Sequence, residues 1–171
     1  EAKDLKEPDI DSQVEEAINL VNRIPAQVHA VIGNHEEKLK GKHRVGFDAL
    51  KYISNSCRNL TYYGSVASFM INGNYKILMS HGSGGGSYAL SYPLQKYYRN
   101  LAEKPDLTLL GHYHTLQHNS QHGNDLVTPG TLQRENSYLL QKGITTELGY
   151  QILHEYSEDN VVLEKRRLNV Y

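Results

Sequence analysis

Leu107-Thr108-Leu109-Leu110-Gly111-His112-Tyr113-His114 is the stretch on which the fold turns. A short, largely apolar run of this kind reads as a strand, and the β-branched run Val28–Ile32 as one covered on both faces. Gly111 allows a sharp turn without a Cβ clash, and two histidines stand just beyond. Two other runs are built the same way. Val28–Ile32 leads into the polar loop Gly33-Asn34-His35-Glu36, and Tyr75–Met79 with Ser80 leads into His81-Gly82. Ligands of α/β sheets bind in the crevice beyond the carboxyl ends of the strands. Four of the chain's 9 histidines fall at these three strand ends, which makes them the candidate site.

Outward from these strands the pattern is mixed. From Asp11, a plausible N-cap, Val14, Ala17, Ile18 and Val21 recur at helical spacing until Pro25. Further helices are expected around Phe47, Leu50 and Ile53 and from Leu94 to Lys104. Strands are expected at Leu60–Tyr63 and Val66–Ile71, with Asn72-Gly73-Asn74 turning the latter into Tyr75–Met79. The remainder, at Leu116–His118, Leu126–Thr128, Tyr138–Leu140, Tyr150–Tyr156 and Val161–Leu168, reads as a β-meander with turns at His122-Gly123-Asn124 and Glu158-Asp159-Asn160. The class is a mixed α/β sandwich, spanning residues 1–171 as one domain.

Composition narrows the function. Lys+Arg of 18 against Asp+Glu of 19 gives a net charge of -1, which argues against a nucleic-acid-coating protein or an anionic-membrane binder. One cysteine, Cys57, builds no disulfide framework and reads as a small buried hydrophobe, so a reducing, cytoplasmic setting is expected. No apolar run approaches the roughly 20 residues of a membrane span. The chain opens on Glu1 and is expected to begin part-way into a longer protein.

The chemistry of the three strand ends is metal binding. Imidazole suits Zn, Fe, Ni and Cu, whereas amide oxygens and carboxylates suit harder ions such as Mn and Mg. A His-x-His pair on a tight loop can aim two rings into one cleft, each at its own ion. Two ions roughly 3.5–4 Å apart form the clamp used in phosphoester hydrolysis.

Gly33-Asn34-His35-Glu36, His81-Gly82 and Gly111-His112-Tyr113-His114, in that order, resemble the last three signature blocks of the calcineurin-like metallophosphoesterases, over roughly residues 28–130. The resemblance implies a β-sandwich flanked by helices. It implies that Asn34, His81 and His112 ligate one metal, that His114 ligates a second, and that His35 meets the phosphate and assists the leaving oxygen as general acid. It also implies two divalent ions, Mn first with Fe or Zn behind, and attack on phosphorus by a metal-bridging hydroxide. The substrate class is a phosphomonoester or phosphodiester, with a tilt toward a diester or nucleic acid and no membrane partner.

The family's two upstream blocks, Asp-x-His and Gly-Asp, do not occur, and Asp4 lacks the strand that would make it a bridging ligand. The chain therefore reads as the C-terminal two-thirds of such a domain, missing its N-terminal strands. One metal site is mostly present and the other is incomplete. An unpaired edge at Val28–Ile32 would then favour self-association into homo-oligomers. The rival reading is a catalytically incomplete binding or scaffold module, as in the retromer phosphatase-like subunit. A weaker third is a mononuclear metal protein.

Other features carry blander readings. The Gly82–Gly86 loop, with Gly82 and Ser83 as substrate contacts, is an anion nest or a hinge. Tyr88, Tyr92, Tyr97 and Tyr98 are helix-packing residues before they are base-stacking platforms. His29, His43, His118, His122 and His154 have no motif around them, and Lys165-Arg166-Arg167 is a solvated strand face.

Overall fold

The computed structural model describes residues 9–41, 46–85, 88–157 and 160–167. The architecture is mixed α/β with a central mixed sheet and helices, the class expected from the sequence. The chain divides into two compact units, Glu1–Ala67 and Ser68–Tyr171.

The first unit holds α1 (Ile10–Asn22), β1 (Val28–Ala30), α2 (Asn34–Lys40), α3 (Ala49–Ser56) and β2 (Leu60–Tyr62). The N-cap of α1 is Asp9, not Asp11: the Asp9 carboxylate accepts from both the backbone N–H and the hydroxyl of Ser12, so Asp11 falls in the first turn. The helical stripe is as read. Val14 is buried with Ala49, Ile53, Cys57 and Leu60, while Ala17, Ile18 and Val21 pack against them. Cys57 is the buried hydrophobe expected, and burial pushes its thiol up from its ordinary value.

β1 and β2 pair in parallel, Val28 opposite Leu60 and Ala30 opposite Tyr62. β1 is not covered on both faces: Val28 and Ala30 are half-buried, but His29 is exposed, its Nδ1 2.8 Å from the Tyr63 hydroxyl. The polar segment after Ile32 is a helix rather than a loop, because Glu36 and Glu37 in the first turn of α2 and Lys38 and Lys40 in its last complement the helix dipole.

The boundary between units falls inside β3 (Val66–Ile71). There follow β4 (Tyr75–Ser80), α4 (Tyr92–Arg99), β5 (Leu107–Leu110), β6 (Leu116–Gln121), β7 (Asn124–Pro129), α5 (Ser137–Gln141), β8 (Gly149–Ser157) and β9 (Asn160–Arg167). The turn from β3 to β4 has positive φ at Asn72 and Gly73, as Asn-Gly favours. One sheet runs β3-β4-β5-β7-β6, with β4, β5 and β7 mutually parallel and β6 antiparallel to β7. This corrects the meander: β6 returns to the outside edge, and β7 takes the inner place beside β5.

Alternation along β5 and β7 feeds two cores. Leu110 and Leu126 pack with Leu94 and Tyr98 of α4, while Leu107 and Val127 pack with Ile77. Tyr98 and Tyr97 are therefore packing residues, whereas Tyr88 and Tyr92 are exposed.

α4 ends at Arg99, five residues short of Lys104, because the Lys104 ammonium folds back onto the carbonyls of Tyr98, Arg99 and Leu101. Residues 138–140 form α5, not a strand. Asn136 accepts the Leu139 N–H at 2.9 Å, and Gly143 at φ 64 receives the far end, so the caps override the apolar run. β8 and β9 form an antiparallel pair, and Gln151 of β8 donates to the carbonyls of Gln117 and Thr128. Lys165-Arg166-Arg167 lies on β9; the turn at Glu158-Asp159, Leu168, His43 and Asp4 lie outside the described residues. Among the described residues, no helix is long and apolar enough to cross a membrane.

Candidate functional site

Parallel pairing of β4 with β5 sets Ser80 opposite Leu110. The residues that follow, His81 and Gly111-His112, therefore leave the sheet side by side at its carboxyl edge. The Gly111 N–H donates to the Ser80 carbonyl at 3.1 Å. The result brings two rings together: His81 Nε2 lies 3.2 Å from His112 Nδ1, with the rings edge-on at 72°.

The backbone here is bent hard. His112 has φ 73 and His114 φ 54, left-handed values that side chains rarely adopt. The Tyr113 N–H closes on the Gly111 carbonyl at 2.9 Å, a three-residue turn centred on His112. Strain of this kind is typically held at functional sites by the surrounding structure.

Two carbonyls of the glycine-rich loop accept hydrogen bonds from these residues. His112 Nε2 is 2.7 Å from the Gly84 carbonyl. A carbonyl only accepts, so that network assigns the proton to Nε2 and leaves the Nδ1 lone pair facing His81. The Tyr113 hydroxyl donates to the Ser83 carbonyl at 2.7 Å, and burial holds its phenol above the usual 10.0. Gly82, at φ 83, is tightly enclosed: a Cβ would sit 3.2 Å from Leu110 Cγ and 3.3 Å from Tyr113 Cε2, so those side chains would have to give by a few tenths of an ångström.

Behind His114 the chain is braced. The His114 carbonyl accepts the Glu147 N–H at 2.8 Å, and the Glu147 carboxylate accepts the Leu116 N–H at 2.6 Å. Gly130 donates to Thr115 at 3.0 Å.

Of the residues singled out from sequence, His81, His112, Gly82 and Ser83 stand together, and His114 continues the same loop. Asn34, half-buried, and His35, exposed, open α2 in the first unit. Among the described residues, no group of three or more His, Cys, Asp or Glu side chains could hold a metal ion. His118 instead pairs with Asp125 at 2.7 Å. Tyr113 was legible only as the residue between two histidines. Glu147 had no signal, since its partners lie about thirty residues back in the chain.

Several solved structures are similar to this chain at low identity. An archaeal phosphodiesterase matches at 14% identity over 87% of this chain and 74% of its own, with a TM-score of 0.54. A single mutant of Vps29 from Entamoeba histolytica matches at 19% identity over 91% and 89%, TM-score 0.48. Vps29 from Cryptosporidium parvum matches at 13% over 89% and 86%, TM-score 0.46. No curated protein matches the chain. The model of the calcineurin-like phosphoesterase superfamily domain matches residues 2–147, so nearly the whole of the strand-and-histidine framework described above falls within it, and the chain belongs to that superfamily.

Proposed function

We propose that this domain hydrolyses a phosphoester with the help of divalent metal ions, His81 and His112 sharing one of them. The observation that carries the reading is the 3.2 Å between His81 Nε2 and His112 Nδ1. Two nitrogens each about 2.0–2.1 Å from one ion, and about 90–110° apart at it, stand about 2.8–3.4 Å from each other. The Nε2–H of His112 on the Gly84 carbonyl fits as well, since a ligating histidine commonly donates its other N–H to such a group.

When bound, the ions would lower the pKa of a coordinated water and neutralise phosphoryl charge. The residues of this chain do the rest. His81 Nε2 and His112 Nδ1 would ligate one ion at the sheet edge once the proton between them is released, and the turn of residues 112–114 carries His114 as ligand for a second ion. For Asn34 as a further ligand and His35 as proton donor to the leaving oxygen, family resemblance is the support. Mn²⁺ is the ion of choice, with Fe or Zn behind. A phosphodiester, nucleic acid included, is the favoured substrate, in a reducing cytoplasmic setting consistent with the buried thiol of Cys57.

The test is Mn²⁺-dependent hydrolysis of bis(p-nitrophenyl) phosphate by the chain, beside a His81→Ala, His112→Ala double variant. Turnover that disappears in the double variant supports the reading. No turnover in the parent chain, whichever of Mn²⁺, Fe²⁺ or Zn²⁺ is supplied, gives the domain to the rival role of a binding module.

A further inference from the structure

We infer that Tyr88, Tyr92, Lys96 and Arg99 form a track for single-stranded nucleic acid that leads to the histidine pair. The inference deepens the phosphodiester reading above by naming its substrate class, and rests on that reading for its catalytic meaning. Helix packing was expected of four tyrosines here, and only Tyr97 and Tyr98 pack. Tyr88 is fully exposed and Tyr92 more than half so, with Leu90 between them also exposed. Three large apolar side chains left in water within five residues of each other call for a ligand.

Their place in the fold follows from the parallel pairing of β4 with β5, which α4 connects. α4 begins at the sheet edge from which His81 and His112 leave, and runs back toward the other. Its far end is marked by Tyr98, whose hydroxyl accepts from Asn124 Nδ2 at the amino end of β7. Leu94 and Tyr98 bury one stripe of the helix against Leu110 and Leu126. Tyr92, Lys96 and Arg99, at i, i+4 and i+7, form an exposed stripe. At about 1.5 Å per residue, the two cations stand about 6 and 10.5 Å along the helix from the Tyr92 ring. Tyr88 is four residues beyond Gly84, whose carbonyl meets His112 Nε2, so the two Cα atoms lie within about 14 Å of each other.

Rings that stack bases, followed by cations that take phosphates, are what a single strand requires. A duplex keeps its bases stacked inside, out of reach of such rings. Between Ser80 and Glu103 the sequence holds no acidic residue to repel a phosphate. Among the described residues, neither Lys96 nor Arg99 has a carboxylate partner. With a charge of -1 on the whole chain, the attraction belongs to this strip and not to the surface at large.

A short fluorescein-labelled oligothymidylate, added to the full chain in EDTA, reads the track by fluorescence anisotropy without metal or cleavage. The parent should bind it. Tyr88→Ala, Tyr92→Ala should lose about 5- to 150-fold in affinity per ring, and Tyr88→Phe, Tyr92→Phe should restore most of it. Lys96→Gln, Arg99→Gln should flatten the slope of log affinity against log salt by about 1.4, two contacts at about 0.7 each. A parent that does not bind, or alanine and glutamine variants that bind as it does, overturns the track. So does polyglutamate that displaces the oligonucleotide at equal charge, which would give the strip to acidic peptides. A parent that binds in EDTA but turns over no bis(p-nitrophenyl) phosphate with any of the metals removes the hydrolase reading and leaves the track standing.

Discussion

Gly130 is a glycine whose replacement the structure strongly opposes. Its φ of 86 is one that L residues adopt with strain, a cost of about 1–2 kcal/mol. A Cβ there would also lie 2.9 Å from the Gly149 carbonyl oxygen and 2.9 Å from Leu116 Cδ1. One of these is backbone and the other a leucine wedged in the sheet, so neither yields freely, and overpacking adds about 1–3 kcal/mol. Gly130→Ala should therefore cost about 2–5 kcal/mol. Gly123 makes the control: its φ is 82, but nothing lies within 4 Å of a Cβ. Gly123→Ala should cost the strain alone, about 1–2 kcal/mol. At about 2–4 °C per kcal/mol for a chain of this size, the melting point should fall by about 4–20 °C in the first and about 2–8 °C in the second. Thermal melts followed by circular dichroism read both. Equal losses in the two variants would mean that the contacts at Gly130 relax without cost, and the packing argument would be wrong.

Glu147→Ala leaves the half-buried N–H of Leu116 without its carboxylate acceptor, which should cost about 1–3 kcal/mol and raise the hydrogen-exchange rate of that amide. Glu147→Gln retains an oxygen there and should restore most of the protection; if it exchanges as fast as Glu147→Ala, the brace is not what fixes the turn.

Asp48 caps α3 and pairs with Lys40 at 2.6 Å. Burial pushes its carboxyl up, but the hydrogen bonds from Lys40 and the Lys51 N–H outweigh that and hold it below 3.8. A depressed carboxylate stabilises the fold above its unfolded pKa, and the contribution is lost as pH falls through the folded value. Stability of the parent chain should thus drop as pH falls below about 4 more steeply than that of Asp48→Asn. Parallel acid titrations of the two would refute the assignment.

How much was legible follows from how local each signal is. Leu107–Leu110 and Tyr75–Ser80 carry their strand character in their own residues, and the glycines after them mark where the chain leaves the sheet. Once both are strands, parallel pairing does the rest for His81 and His112. The misread elements are those where a cap or a tertiary partner outvotes composition. Tyr138-Leu139-Leu140 looks like a strand until Asn136 and Gly143 close a helix around it. Lys104 stops α4 by reaching back, which periodicity does not reveal. The inner place of β7 beside β5 depends on a partner, and only the sheet as a whole decides it.

The order of that sheet has a consequence for motion. β4 and β5, which deliver the two histidines, each have a strand on either side, while β3 and β6 form the edges. Openings of a native protein begin at frayed edges at almost no free-energy cost, and reach its interior only near global unfolding. Edge fluctuations therefore come and go without altering the distance between His81 and His112. The amides that keep their spacing should therefore be among the slowest of the sheet to exchange.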